Sequence, residues 1–129
     1  MKVLIDRVRR LIDETGEYPA EVLDGLRKMG AFGMKIPKEY GGKGFSALAH
    51  SAVIMKLTTR SGTAAVSVMV PNSLGPAELL IHYGTQAQKQ RWLPALACGD
   101  EIPCFALTEP DAGSDAGAIQ ATGVVFRGE

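Results

Sequence analysis

Apolar positions recur every three to four residues as far as about residue 100, the spacing that turns one side of an α-helix toward a core. Over residues 2–14, Leu4, Val8 and Leu11, with Ile5 and Ile12, share one face. Arg7, Arg10 and Glu14 take the other, which predicts an amphipathic helix closed by Gly16. A second helix is expected to open at Pro19, bury Val22, Leu26 and Met29, and stop at Gly30. The stretch "AFGMKIPKEYGGKGF" is broken by Pro37, Gly41, Gly42 and Gly44 and reads as a loop. Ser46 can cap a third helix running to about Arg60, with Leu48, Ala52 and Met55, and Ala49, Val53 and Leu57, facing inward.

"AAVSVMV" within Thr63–Val70 is β-branched, which favours a strand, and apolar on every side, which suits a buried helix. Its helical neighbours decide for the helix. Pro71 and Pro76 flank "NSLG" and imply a kink or break, after which Pro76 opens a helix that Gly84 closes. Thr85 and Gln88 form a capping box for a helix carrying Trp92, Leu93 and Leu96, ended by Gly99. After Ile102 the pattern changes: "IPCFALTEP" reads as a short apolar strand entering a turn, and Val124–Phe126 as a strand just beginning. The chain is therefore expected to divide into an all-α unit, 1–101, and the truncated start of a β-rich unit, 102–129, belonging to a longer protein.

Composition narrows the function classes. The 129 residues suit about one domain, and 46% hydrophobic with 22% charged residues is ordinary for a globular chain. Fourteen basic residues balance fourteen acidic ones, so no basic face points to nucleic acid. The apolar run Ala64–Pro71 is far shorter than a membrane span, and charges at Lys2, Asp6 and Arg7 argue against a signal peptide. Cys98 and Cys104 form no CxxC and are far in sequence from His50 and His82, so they are expected to be reduced thiols serving as small apolar side chains. That points to a cytoplasmic protein without a metal site, with membrane association left open for the whole protein.

The chemistry is concentrated in "FALTEPDAGSDAGA". Gly113 permits backbone angles closed to other residues and lets a ligand come near. Successive peptide N–H groups in such a turn form a concavity for anions, and the hydroxyls of Thr108 and Ser114 can each donate and accept. The stretch has neither the Gly-Lys-Ser/Thr of a Walker loop nor a GxGxxG opening a helix. It suits a phosphorylated cofactor, although a plain surface turn is equally open on this ground alone. Glu109, Asp111 and Asp115 are read as turn formers rather than as an acid–base set. Trp92 and Met29, Met34, Met55 and Met69 are expected in the core, His50 and His82 solvated or satisfied locally, and Arg7, Arg9 and Arg10 on a solvated helix face.

"ALTEPDAGSDAGA" resembles the first signature of the acyl-CoA dehydrogenase family at every position of the pattern. "IPKEYGGKGFS" is similar to that family's early glycine loop, and "HYGTQAQKQRWLPALACGDEIPCFALTEP" to its helix leading into the signature. "VPNSLGPAELL" resembles the large bacterial fatty-acid β-oxidation type, and the likeness covers essentially the whole chain. The resemblance implies a mainly α fold: the N-terminal helical bundle with the first strand or strands of the middle β-domain. It also implies FAD as cofactor, an acyl-CoA thioester as substrate, electron-transfer flavoprotein as acceptor, and a homo-oligomer when full length. Phe105, Leu107 and Thr108 would then contact the isoalloxazine, Thr108 near its N5 and O4 edge. Gly113 and Ser114 would approach the pyrophosphate, Ser114 also touching the substrate. Ser73, Ala77 and Leu80 would line the acyl-tail pocket. The family's catalytic glutamate belongs to its C-terminal helical domain. Nothing here matches it, so the chain alone is expected to be inactive. An acyl-CoA oxidase or other flavin-dependent relative, or a helical interaction module without cofactor, are the alternatives.

Overall fold

A computed structural model describes residues 10, 14–15 and 18–124. Among the described residues, α-helices with both ends placed follow one another: α1 (Ala20–Lys28), α2 (Ala47–Thr58), α3 (Gly62–Ser73), α4 (Pro76–Tyr83) and α5 (Gln86–Cys98). Single 3₁₀ turns lie at Lys38–Tyr40 and Ala116–Ala118. Most of the expected helix over 2–14, with its Gly16 stop, and residues 125–126 of the last expected strand lie outside the described residues.

The helix boundaries follow local chemistry. The Ser46 hydroxyl accepts from the Ala49 N–H at 3.2 Å and the Ser61 hydroxyl from the Ala64 N–H at 3.2 Å, each satisfying a donor that a helix start leaves free. At α5 the box is reciprocal: Gln88 N–H donates to the Thr85 hydroxyl (3.3 Å) while Thr85 N–H donates to the Gln88 side chain (2.8 Å). The ambiguous run at Thr63–Val70 is helical, because α2 and α4 pack on both of its sides and bury Ala64, Ala65 and Val68. Pro71 sits inside the last turn of α3, and the break falls at Leu74–Gly75, where Pro76 restarts the helix. Gly62–Tyr83 as a whole has the length and apolarity of a membrane-crossing segment, a property the shorter run Ala64–Pro71 lacks. Here that stretch is bent into two helices whose inner residues belong to the core.

Two apolar clusters hold the bundle. Val22, Leu26, Ala31, Phe32, Met34 and Val68 form one; Ile36, Ala77, Leu93, Leu96 and Ala97 form the other. The glycine-rich stretch after α1 is the loop expected, yet it supplies core to both, Phe32 and Met34 to the first and Ile36 to the second. It can do so because it folds back on itself: Lys43, Gly44 and Phe45 donate their N–H groups to Gly33, Ile36 and Met34 carbonyls at 2.7–2.9 Å. Asn72 pins it to α3. Its buried side chain donates to the Ala31 and Val68 carbonyls, both at 2.8 Å, and accepts from the Lys35 N–H at 3.1 Å. Gly99 ends α5 at φ 81°, and a Cβ there would lie 2.5 Å from the Phe32 ring, so the left-handed cap and the close packing both demand glycine.

Several expected faces are corrected. On α2, His50 is buried and Val53, Ile54 and Leu57 are half-buried, whereas Leu48 (82% exposed), Ala49, Ala52 and Met55 point outward. The helix is apolar on nearly every side, so its periodicity specified no face; packing against α3 chose one. Met29 falls past the last turn of α1 and is exposed, as is Met55; Met69 is half-buried and Met34 alone of the four is core. Trp92 is 40% exposed with the Arg91 guanidinium 4.7 Å over its ring, while its neighbour Leu93 takes the interior. Both cysteines are free, but exposed rather than packed. The expected strand at 102–110 forms no ladder among the described residues; Glu109 makes an isolated bridge to Ala112 instead.

Candidate functional site

Past Gly99 the chain leaves the bundle and runs over its surface. The Glu101 N–H donates to the Ala95 carbonyl at the end of α5 (3.2 Å), and the Pro103 ring lies 3.1 Å from the position a Cβ on Gly75 would take. The segment therefore starts against the α3–α4 break, with Pro103, two residues before "FALTEP", beside Gly75, the last residue of "NSLG".

From Cys104 to Thr108 no peptide N–H finds a partner among the described residues. Phe105 is 53% and Leu107 46% exposed, and Thr108 is exposed with them. Unpaired peptide groups in water cost little, but two large apolar side chains held outward beside them form an edge suited to something flat and polar-rimmed.

Beyond Thr108 the backbone closes into a bend. Glu109 and Ala112 exchange backbone hydrogen bonds at 3.0 and 3.3 Å, and Ala112 is buried at the base. Asp115 accepts from the Gly117 N–H through its side chain (3.1 Å) and from the Ala118 N–H through its carbonyl (3.1 Å). Both carboxylate oxygens of Glu109 accept backbone N–H groups, Oε2 from Gln120 and Oε1 from Ala121, at 2.9 Å. These acids shape the turn, as expected of them, rather than forming an acid–base pair. Gly113 and Ser114 stand exposed on the crown, with nothing within 4 Å of the space a Gly113 side chain would fill.

Of the residues expected at an acyl tail, Ser73 is exposed at the end of α3. Ala77 is buried against Ile36 and Leu93, and Leu80 is half-buried on the same cluster. They do not line the apolar groove of about 550 Å³, which lies between α1, the glycine-rich loop and α2, walled by Leu26, Met34, Phe45, Val53 and Leu57.

The charged groups nearest the α3–α4 break form their own set. Lys35 bridges Glu78 at 2.5 Å, and His82 approaches the other Glu78 oxygen at 3.4 Å. The Lys35 hydrogen bond holds the Glu78 carboxyl below its ordinary range. His50 departs from expectation: it is buried and its Nε2 has no hydrogen-bond partner among the described residues. Burial pushes its pKa down, the Lys35 cation adds to that, and Glu78 opposes it. His82 is exposed, as expected. Sequence reasoning gave no structural work to Asn72. Its one signal was a polar residue set in an apolar run beside a proline.

The segment 104–114 fits a dinucleotide on this structure's own terms: unpaired peptide donors, an exposed threonine hydroxyl, two outward apolar side chains and an open glycine crown. Residues 2–100 match the family described as "Acyl-CoA dehydrogenase, N-terminal domain". The chain is 40% identical over 119 residues, 92% of its length, to the 3-(aryl)acrylate reductase of Clostridium sporogenes, of which this is 31%. It is 40% identical over 123 residues, 95% of its length, to the caffeyl-CoA reductase-Etf complex subunit CarC of Acetobacterium woodii, of which this is 32%. An acyl-CoA dehydrogenase of Bacillus subtilis is 33% identical over 119 residues, 92% of this chain and 31% of that protein. The chain thus spans about a third of the length of these relatives.

Proposed function

The chain belongs to the acyl-CoA dehydrogenase family, and from that premise we propose that it is the N-terminal portion of an FAD-dependent enzyme that dehydrogenates acyl-CoA thioesters. The family is generally flavin-dependent; that this chain holds FAD is the step proposed here, and the observation carrying it is the unpaired edge 104–108 leading into the open crown at Gly113. In this reading the Thr108 hydroxyl and the peptide groups of Phe105 and Leu107 contact the isoalloxazine edge, and their side chains cover its apolar part. Gly113 and Ser114 approach the pyrophosphate through peptide N–H groups and a hydroxyl. Bound FAD would supply the acceptor for the substrate's β-hydrogen. The residues of this chain orient and bind; the base that takes the α-proton is read as lying in the C-terminal helical domain of the whole protein. Ser73 and Leu80, beside the break that abuts Pro103, are placed along the acyl tail, with Ala77 behind them as packing.

Two relatives named as reductases, at 40% identity each, favour a second reading in which the same scaffold reduces an α,β-unsaturated acyl thioester or acid. The relative named as part of an Etf complex supports electron-transfer flavoprotein as the electron partner. A homo-oligomer and a cytoplasmic location, with membrane association open, complete the proposal. The test is made on the whole protein. Purified protein is expected to show flavin absorbance, to lose it on Thr108→Val, and to reduce an electron-transfer flavoprotein on mixing with an acyl-CoA. Peroxide release instead would assign it to oxidases, and reduced carrier consumed with an enoyl-CoA to reductases. A colourless protein that ignores added FAD would refute the proposal.

A further inference from the structure

The bend 109–121 has few anchors. Gly113–Ala118 are exposed, and Ala112 is the buried residue at its base. Among the described residues, one side chain joins its two ends. The two Glu109 oxygens each take a backbone N–H from the far limb of the bend, Gln120 and Ala121, both at 2.9 Å, across eleven and twelve residues. The same residue pairs through its backbone with Ala112. Both donors are peptide N–H groups, so the clamp needs two acceptor atoms; a carboxylate has them, and a carboxamide would aim its NH₂ at one of the donors.

We propose that Glu109 is the positioning residue of the cofactor edge: it acts through the bend, holding Gly113 and Ser114 at a fixed separation from Thr108, the residue directly before it. This rests on the reading of Thr108 and Gly113–Ser114 as flavin contacts. Glu109 touches no reacting atom; its effect is that the crown is already in place when the dinucleotide arrives, so binding does not have to order it.

The experiment uses the whole protein stripped of flavin, with three readouts: FAD affinity by titration, amide hydrogen exchange at Gln120 and Ala121, and melting of the helical part by circular dichroism. Glu109→Gln is expected to weaken FAD binding about tenfold and to speed exchange at Gln120 and Ala121 about tenfold, with helical melting unchanged. Gln120→Pro deletes one donor while leaving Glu109 in place. Ile119, at φ −59° and ψ 128°, already has the extended angles required before proline, and the same direction of change is expected. Thr108→Val separates the outcomes. If it weakens FAD binding while Glu109→Gln and Gln120→Pro leave it unchanged, Glu109 is not a positioning residue and the flavin reading stands. If affinity falls only together with helical melting, Glu109 is a general stabilising residue and the proposal is overturned. If the unsubstituted protein binds no FAD, the flavin reading falls and takes this role with it.

Discussion

The bundle and the segment that follows it satisfy their polar groups in opposite ways. Between Ala20 and Gly99 helix starts are capped by side chains at α2, α3 and α5, a buried asparagine closes the loop on α3, and two apolar clusters fill the interior. Between Cys104 and Thr108 the peptide donors have no partner among the described residues and the large apolar side chains face out, while the bend beyond is tied by local acids. The bundle satisfies its polar groups and apolar faces largely through contacts within itself. The segment is shaped locally and leaves apolar side chains and peptide donors exposed.

That contrast can be broken most forcefully in the core. Phe32→Ala, at 1% exposure and beneath Gly99, should cost about 3–5 kcal/mol and abolish cooperative thermal melting. Asn72→Ala strands the Lys35 N–H and the Ala31 carbonyl and should cost about 2–3 kcal/mol, read from denaturant midpoints. Removing the α5 cap with Thr85→Ala should cost about 1 kcal/mol. Leu107→Ala sharpens the other side of the comparison. At an exposed position it should change melting by less than about 0.5 kcal/mol, yet weaken FAD binding in the whole protein. A Leu107→Ala protein that melts as poorly as Phe32→Ala would erase the distinction.

The smallest effect is on pH. The folded His50 pKa lies below the ordinary 6.5, so the unfolded chain binds the extra proton first. The contribution is present in full above pH 6.5 and is lost as pH falls through the lowered value. His50→Gln should therefore flatten the decline of melting temperature as pH falls below 6.5. The lowered Glu78 adds a separate loss beneath its ordinary 4.5.

Helix ends were legible in the sequence because caps act over three or four residues: Ser46, Thr85 with Gln88, Gly84 and Gly99 all sit where their chemistry placed them. The buried faces were less so. α2 is apolar on nearly every side, and only its contact with α3 decided that His50 and Val53, not Leu48 and Met55, turn inward. The loop 31–45 carried its glycines openly but not its burial, which depends on Asn72 thirty-seven residues from Lys35. In the candidate site, the stretch holding Thr108, Gly113 and Ser114 stood out by its glycines, its hydroxyls and its resemblance to the family signature. The clamp by Glu109 did not, because its partners are peptide groups, which look alike in every sequence. The strand expected at 102–110 needs a neighbouring strand to exist as one, and that information lies in other residues than its own.

The central claim is that the free edge of this chain is completed by a dinucleotide, and amide hydrogen exchange over Phe105–Thr108 in the whole protein, with and without FAD, reads it directly. Slower exchange there on FAD binding, with the α5 amides unchanged, is the result predicted. Equal rates in the two states, whether fast or slow, would contradict it.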